Sequence, residues 1–200
     1  MKKFGKIICM IFCLVIGGGV ASEEVSYRLV EKNEIYEIRY YEKVLVAEVE
    51  YAGVNGGFGD LFNYISGANN QVSPTKNAAS SVKIEMTTPV TRINYGDRNV
   101  MQFFLPNRFT LETAPKPVNP NVRIKQQESG YFAAIQYSGR ASEENFHKRA
   151  KILTQSLNAN SILYFEPAIW ATYNSPFTPP FMRRNEAIYK IEWNDIQFKL

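Results

Sequence analysis

The stretch Lys83-Ile84-Glu85-Met86-Thr87-Thr88-Pro89-Val90 lies between two similar halves of the 200-residue chain. Ile84, Met86 and Thr88 alternate with polar or charged residues, which is the pattern of a β-strand with one buried face. Pro89 has no backbone N–H and favours an extended residue before it, so strand pairing should stop there. The stretch therefore predicts a strand at the rim of a sheet or barrel.

The sequence on the two sides of this strand repeats at an offset of 86 residues. Residues 37–53 match residues 123–139, and both segments alternate in the manner of strands. The equivalent pairs are Ile38 with Ile124, Ala47 with Ala133, Val49 with Ile135, Tyr51 with Tyr137 and Gly53 with Gly139. This regular spacing predicts an internal duplication.

One helix is predicted after each copy of the repeat. The first has an apolar series at positions i, i+3, i+4 and i+7 that ends before Gly67, namely Phe58, Leu61, Phe62 and Ile65. The second begins at the N-cap Ser142, and acidic residues occupy its first turn. Its apolar stripe consists of Phe146, Ala150, Leu153 and Leu157.

Further strands complete each unit, and turn chemistry at residues 94–99 predicts a hairpin. The predicted strands are residues 90–93, 100–105, 169–173 and 186–192, and the predicted loops are residues 69–81 and 106–120. Two β-α-β-β units related by pseudo-symmetry are expected to close one antiparallel sheet or barrel with a helix on each copy. The fold class is therefore α+β, with a cleft between the halves.

Residues 1–21 have the features of a secretory signal peptide. Three lysines precede the uncharged apolar run from Ile7 to Ile16, and small residues follow it. The run is too short to span a membrane. Cleavage is expected after Ala21, with Ser22 as the alternative. Cleavage after Ala21 would leave residues 22–200 as a single domain without a lasting membrane anchor. We expect this domain to be secreted, or periplasmic if the source is a bacterium.

Cleavage would also remove both cysteines, Cys9 and Cys13. The mature chain would then have no disulfide, no thiolate nucleophile and no cysteine metal ligand. Its formal net charge would fall from +4 to +1, because residues 1–21 hold three lysines and no acid. A nearly neutral domain of this kind is not expected to bind nucleic acid.

Two motifs resemble those of a known family. Residues 83–90 resemble the K-I-x-M-T-x-P-V signature of the SOUL haem-binding family. Residues 173–177, followed by Arg183-Arg184-Asn185-Glu186, resemble its closing Y-x-x-P…R-R-N-E element. The resemblance runs from about Val25 to Trp193. It implies a distorted antiparallel β-barrel flanked by two helices, similar to the duplicated effector-binding domains of bacterial regulators.

The resemblance also implies that haem or a related tetrapyrrole binds in a shallow apolar groove beside the first helix, near the loop before the second motif. The candidate binding residues are Phe58, Phe62, Tyr64, Tyr173, Phe177, Phe181, Arg183 and Arg184. The two tyrosines are candidate axial ligands, with binding without strong ligation as the alternative. One arginine is expected to be structural and the other to meet the ligand's acidic groups, and the sequence leaves their assignment open.

The only histidine, His147, is interpreted as a solvated residue on the flank of the second helix. The sequence assigns no catalytic residues and shows no metal-ligand spacing. An alternative function is a hydrolase or isomerase of small apolar molecules that uses the carboxylate of Glu85 or Glu186 with another acid across the cleft. A further alternative is a protein-interaction module with an exposed aromatic patch. Haem is not expected to be required for folding.

Overall fold

The computed structural model describes residues 22–53, 56–72 and 79–194. The predicted signal peptide, residues 1–21, lies outside them. Within the described part of the chain, no helix is long and apolar enough to cross a membrane.

The two helices of the described residues are α1 (Phe58–Ile65) and α2 (Glu143–Ala159), and a 3-10 turn covers Pro180–Met182. The first strands are β1 (Arg28–Lys32), β2 (Glu37–Tyr41), β3 (Val44–Tyr51), β4 (Asn69–Val72), β5 (Ala79–Ser80) and β6 (Val90–Asn94). They are followed by β7 (Asn99–Phe104), β8 (Lys116–Pro117), β9 (Val122–Gln127), β10 (Gly130–Tyr137), β11 (Tyr164–Thr172) and β12 (Asn185–Ile191).

Nine of these strands form one antiparallel sheet in the order β1-β2-β10-β12-β11-β6-β7-β3-β9. A small second sheet has the order β5-β4-β8. The large sheet curls into a distorted, barrel-like form, and one helix packs on each half of it. The predicted α+β class, the barrel architecture and the two flanking helices are confirmed.

The duplication is visible in both sequence position and sheet order. Shifting β3 by the 86-residue offset gives the bounds of β10, and shifting β2 gives residues 123–127 of β9. With β1 set aside, the sheet reads β2-β10-β12-β11 from one end and β9-β3-β7-β6 from the other. A pseudo-two-fold axis therefore passes between β6 and β11, and each end strand pairs with a strand of the other repeat.

Two short connectors, each of two residues, lead the chain from one end of the large sheet to the other. Glu42 and Lys43 join β2 to β3, and Glu128 and Ser129 join β9 to β10. The pairing of β2 with β10 and that of β3 with β9 have the same register, so the ladder runs on through both connectors. Lys43 and Glu128 face each other there, with Nζ and Oε2 3.0 Å apart.

Each helix covers its own apolar core on one face of the sheet. The core below α1 contains Leu45, Ala47, Val49, Leu61, Tyr64, Ile65, Ile84, Met101, Phe103, Leu105 and Val122. The core below α2 contains Tyr36, Ile38, Ala133, Ile135, Phe146, Ala150, Leu153, Leu157, Ile162, Trp170, Ala187, Tyr189 and Ile191. The stripe predicted for α2 is confirmed, and Ser142 caps this helix by accepting a hydrogen bond from the Asn145 N–H.

Residues 83–89 form no strand, and only Thr88 makes an isolated bridge, with Glu24, so that prediction was wrong. The backbone groups of this stretch bond outside the sheet: the Ile84 N–H donates to the Ile65 carbonyl at the end of α1, and the Thr88 N–H donates to the Glu23 carbonyl. Ile84 is buried in the α1 core, as predicted, and Met86 packs partly against it. Thr87 rather than Thr88 is the buried threonine, which ends the alternation.

The predicted loop at residues 69–81 contains two short strands. Gln71 pairs with Ser80 in the β4–β5 ladder, and Asn69 pairs with Pro117 of β8. Polar composition concealed these strands because the Asn69 side chain, which is buried, bonds to the backbone of residues 64 and 82. The hairpin of β6 and β7 is confirmed.

Candidate functional site

The start of α1 carries an exposed pair of phenylalanines. Gly57 precedes the helix with a φ of 87°, and a Cβ there would lie 2.8 Å from Val49, so glycine lets the helix approach β3 closely. Phe58 and Phe62 follow one turn apart, at 48% and 49% exposure. Their rings are nearly parallel, with centroids 5.9 Å apart and an interplanar angle of 13°. We call this pair the α1 platform.

The platform is anchored from below. Phe58 also meets Phe103 of β7 edge-on, with ring centroids 5.3 Å apart. Leu61 and Ile65 of the same apolar series are buried, and so is Tyr64 beside them. The platform thus has one side fixed to the core and one apolar side in solvent, which is the arrangement of a stacking surface.

Tyr64 belongs to the buried side of α1. Its side chain is 1% exposed, and its hydroxyl donates to the Pro115 carbonyl at 2.9 Å. Burial raises the pKa of the Tyr64 hydroxyl above its ordinary value. The phenol oxygen is therefore held inside the core and does not face the platform.

A second exposed aromatic pair lies on the connection between β11 and β12. Phe177 is 95% exposed and Phe181 is 79% exposed, and the neighbouring Met182 is also exposed. Arg183 shapes this connection, because its guanidinium donates to the carbonyls of Pro176 and Thr178. These bonds hold the apolar side chains outward on an ordered loop.

Arg184 has a different set of partners. Its Nε and Nη2 donate to Glu186 at 3.0 and 2.9 Å, and Nη1 donates to Glu24 at 2.8 Å. Its guanidinium also lies 3.8 Å from the ring centroid of Tyr173. Both arginines of the motif are thus engaged within the protein, Arg183 with carbonyls and Arg184 with carboxylates.

Glu186 is the centre of a buried charge network on the sheet face opposite the helices. It is fully buried and accepts from Arg39 at 2.7 and 3.1 Å and from the Tyr173 hydroxyl at 2.8 Å. Burial alone would raise the pKa of the Glu186 carboxyl, but the bonds and charges of Arg39 and Arg184 outweigh it and hold this pKa below its ordinary value. Glu186 is thus an anion whose two carboxylate oxygens both accept hydrogen bonds within the protein, which indicates a structural role.

Sequence reasoning missed Arg39 as the main partner of Glu186. The signal was the alternation of β2, which places Arg39 on the face opposite the buried Ile38. The 86-residue offset adds a second signal, because it pairs Arg39 with Lys125, which lies on the same face and bonds to the carboxylate of Glu48. Each repeat therefore places one cation of its first strand against a buried glutamate.

The predicted site residues fall into separate groups. Within the described residues, the ring contacts of the α1 platform are between Phe58 and Phe62 and with Phe103, and none joins it to Phe177 or Phe181. Tyr173 lies in the charge network, where its hydroxyl donates to Glu186. His147 is exposed on α2, where its ring contacts Phe146. The assignment of all these residues to one ligand stays a prediction.

The α1 platform offers a stacking surface for the macrocycle of a haem but few ligands for its iron. Two stacked, half-exposed phenyl rings supply the apolar face that a flat ring system needs. The helix itself, Phe58–Ile65, contains no histidine, cysteine or methionine to ligate iron. Among the described residues, no group of three or more His, Cys, Asp or Glu is placed to hold a metal ion.

The carboxylates considered for an enzyme have other partners. Glu85 is exposed and forms an ion pair with Arg108 at the surface. Glu186 is buried among arginines, as described above. The geometry gives neither of them a role in acid–base chemistry.

Comparisons with solved structures show the fold. The chain matches the C-terminal domain of EcmrR with a TM-score of 0.57 and 10% identity, covering 84% of this chain and 99% of that chain. It matches a hydrolase from Listeria innocua with a TM-score of 0.55 and 11% identity, covering 81% and 94% of the two chains. An uncharacterized conserved protein from Listeria innocua gives 0.58 and 10%, covering 80% and 93%. At these identities the likeness concerns architecture alone.

A sequence search among curated proteins finds no match. A family model described as SOUL heme-binding protein matches residues 22–190, which include both motifs and both repeats. The chain therefore belongs to the SOUL heme-binding protein family.

Proposed function

We propose that the protein is a binding protein for haem or a related tetrapyrrole, and that the α1 platform is where the macrocycle stacks. The observation that supports this is the parallel, half-exposed pair of Phe58 and Phe62 on an anchored helix. Large apolar side chains that remain this exposed as a pair commonly mark a binding surface.

Stacking supplies the affinity in this proposal. Burial of ring surface contributes about 25 cal/mol per Å², and an aromatic pair adds about 1 kcal/mol beyond the buried area. Since Arg183 and Arg184 are engaged within the protein, the carboxylates of a bound tetrapyrrole would remain in solvent. Affinity should then depend on the two phenyl rings and little on charge.

Titration of the mature protein with hemin, followed by the Soret band, tests the proposal. Saturable one-to-one binding is expected, and Phe58→Ala and Phe62→Ala should each raise Kd about tenfold. Phe165→Ala is the matched control, because Phe165 is also about half exposed but lies on β11. Equal affinity of all three variants, or non-saturating spectra, would refute the platform as the site.

Two further measurements sharpen the test. Because α1 has no histidine, cysteine or methionine and its Tyr64 hydroxyl is buried, iron-free protoporphyrin should bind with a Kd close to that of hemin. A much weaker Kd for protoporphyrin would instead demonstrate a ligating side chain. Phe181→Ala should weaken hemin binding only if the loop at Phe181 reaches the same ligand, so this variant tests whether the two aromatic pairs act together.

We also propose that the protein acts after export, as a secreted or periplasmic protein. The support is the sequence of residues 1–21, with three lysines before an apolar run and small residues after it. Mass spectrometry of the exported chain should give an N-terminus at Ser22, or at Glu23 if cleavage follows Ser22. Recovery of the intact chain from the cytoplasm alone would contradict export.

A further inference from the structure

The sheet face opposite the helices carries a cavity that is separate from the α1 platform. The space open to the centre of a water-sized sphere is about 50 Å³, and all the empty space out to solvent is about 500 Å³; both repeats contribute to it. Strand alternation fixes its location: Phe103 packs below α1 while Phe104 lines the cavity, and Trp170 packs below α2 while Ile169 lines it. The cavity and the platform therefore lie on opposite sides of the sheet.

The walls of this inner cavity are mainly apolar. They include Val44, Phe104, Phe132, Ile169 and Ile188, which come from five different strands. Such walls favour a compact apolar ligand, because burying its surface supplies most of the binding free energy.

The polar side chains that line the cavity already have partners. The Tyr173 hydroxyl donates to Glu186, the Thr91 hydroxyl donates to Gln102, and the Gln127 amide donates to Gln102. The Tyr41 hydroxyl accepts from Arg39 at 3.2 Å. A charged group buried among them would lose its hydration without gaining an ionic partner, so an uncharged ligand is favoured.

Among the described residues that line the cavity, the charged ones lie at the rim. Glu42 and Glu128 line the opening, both are exposed, and the 86-residue offset makes them equivalent. Two carboxylates at the opening disfavour an anionic ligand, although Glu128 is partly offset by its ion pair with Lys43.

The start of the described chain closes one side of the cavity. Val25 contributes to the wall. Its N–H donates to the Thr88 carbonyl at 2.9 Å, and the Thr88 N–H donates to the Glu23 carbonyl at 2.8 Å. Glu24 is tied to Arg184, and Tyr27 lies below the guanidinium of Arg39 at 4.3 Å. A bound molecule would thus lie partly beneath residues 23–27.

We propose that this inner cavity binds a small uncharged molecule with an apolar body about the size of one aromatic ring. The site goes beyond the proposed tetrapyrrole function, since it lies on the other face of the sheet and its occupant is far smaller than a macrocycle.

Three probes with the same body and different charge test the ligand class: 3-phenylpropanol, 3-phenylpropionate and 3-phenylpropylamine, measured by calorimetry on the mature protein. We expect saturable binding of the alcohol, at least tenfold tighter than that of the carboxylate and no weaker than that of the amine. Tighter binding of either charged probe, or no binding of the alcohol, would overturn the proposal.

Val44→Phe tests the location, because Val44 is a partly exposed wall residue whose enlargement fills the cavity. The alcohol should bind at least tenfold more weakly to this variant, and its Kd should be unchanged for Val118→Phe, which alters an exposed valine elsewhere.

Methyl NMR of the unmodified protein gives a second test that needs no variant. The alcohol should shift the methyl signals of Ile169 and Ile188 and leave those of Leu61 unmoved, and the reverse pattern would overturn the assignment.

Hemin distinguishes this site from the platform. Val44→Phe should leave the Kd for hemin unchanged, and Phe62→Ala should leave the Kd for the alcohol unchanged. Displacement of hemin by the alcohol would show that the two do not bind independently and would overturn the second site. Failure of hemin to bind would refute the proposed function and would leave the alcohol experiment valid.

Discussion

Glu186 is the residue that joins the buried charges on the sheet face opposite the helices. Its carboxylate is fully buried and receives bonds from Arg39, Arg184 and Tyr173. The R-R-N-E motif therefore has a structural role. Its second arginine, Arg184, stands just before β12 and two positions before Glu186, so both side chains point to the same face of the sheet. The two pair with each other and fix the start of the strand.

Replacement of Glu186 tests this network. Glu186→Gln leaves the buried Arg39 guanidinium without its carboxylate and should lower the free energy of unfolding by about 3 kcal/mol at pH 7. Urea denaturation measures the change. Glu128→Gln, which removes an exposed pair with Lys43, should leave it nearly unchanged. Equal effects of the two variants would contradict the buried network.

The stability difference between the wild type and Glu186→Gln should also depend on pH. The pKa of Glu186 is lowered in the folded protein from its ordinary value of 4.5, so its contribution is complete above that value and is lost as the pH falls through the folded pKa. The stability difference between wild type and Glu186→Gln should therefore shrink as the pH falls below about 4.5. The pKa of Glu37 is lowered as well, but Glu37 titrates in both proteins and largely cancels in the difference.

Single residues show where sequence reasoning was sufficient. Spacing predicted that Phe58 and Phe62 share one side of a helix, and they do. Tyr64 was grouped with them as a candidate iron ligand, although it stands six residues after Phe58 and so lies outside the series i, i+3, i+4 and i+7. The partners of Arg183 and Arg184 depend on loop carbonyls and on Glu24, which no local pattern reveals.

At the scale of elements, the stretch at residues 83–90 links other elements and is not a strand; we call it the clasp. It connects the end of α1 to the start of the described chain through backbone hydrogen bonds and inserts Ile84 into the α1 core. The family signature thus records packing between elements that are distant in sequence.

Ile84→Ala tests this role. Ile84 is 2% exposed, so its truncation should cost roughly 2–4 kcal/mol of unfolding free energy, a cost typical of a core isoleucine. Glu85→Ala, one residue later on the exposed side, should leave the unfolding free energy nearly unchanged, because its pair with Arg108 lies at the surface. Thermal unfolding of both variants measures the contrast, and similar costs would contradict the clasp.

Elements were predictable where one physical signal dominated. The stripe and N-cap of α2 and the turn between β6 and β7 were correctly located for that reason. The strands β4 and β5 were missed because their pairing partners, not their composition, make them strands. The clasp was taken for a strand because an extended segment that packs on one side has the same alternation.

For the whole molecule, the duplication is interleaved. β2 pairs with β10 and β3 pairs with β9, so each repeat supplies an edge to the other. The 86-residue offset predicted two equivalent units. It could not predict this exchange, because periodicity specifies which face a side chain occupies and not which strand lies beside it.

Separation of the repeats tests the interleaving. Fragments 22–111 and 112–200, cut beside the exposed Leu111, should each lack native circular dichroism, because β3 loses β9 in one and β10 loses β2 in the other. An equimolar mixture should recover the native spectrum. Independent folding of either fragment would contradict a shared fold.

The crossing of the repeats restricts how such a chain can change in length. One residue added to the Glu42–Lys43 connector alone would put the ladder on its two sides out of phase, and the side chains beyond it would move to the opposite face of the sheet. A matching addition at Glu128–Ser129 would bring the ladder back into step. Insertions and deletions at the two connectors should therefore occur in compensating pairs, whereas the exposed loop near Leu111 can vary on its own.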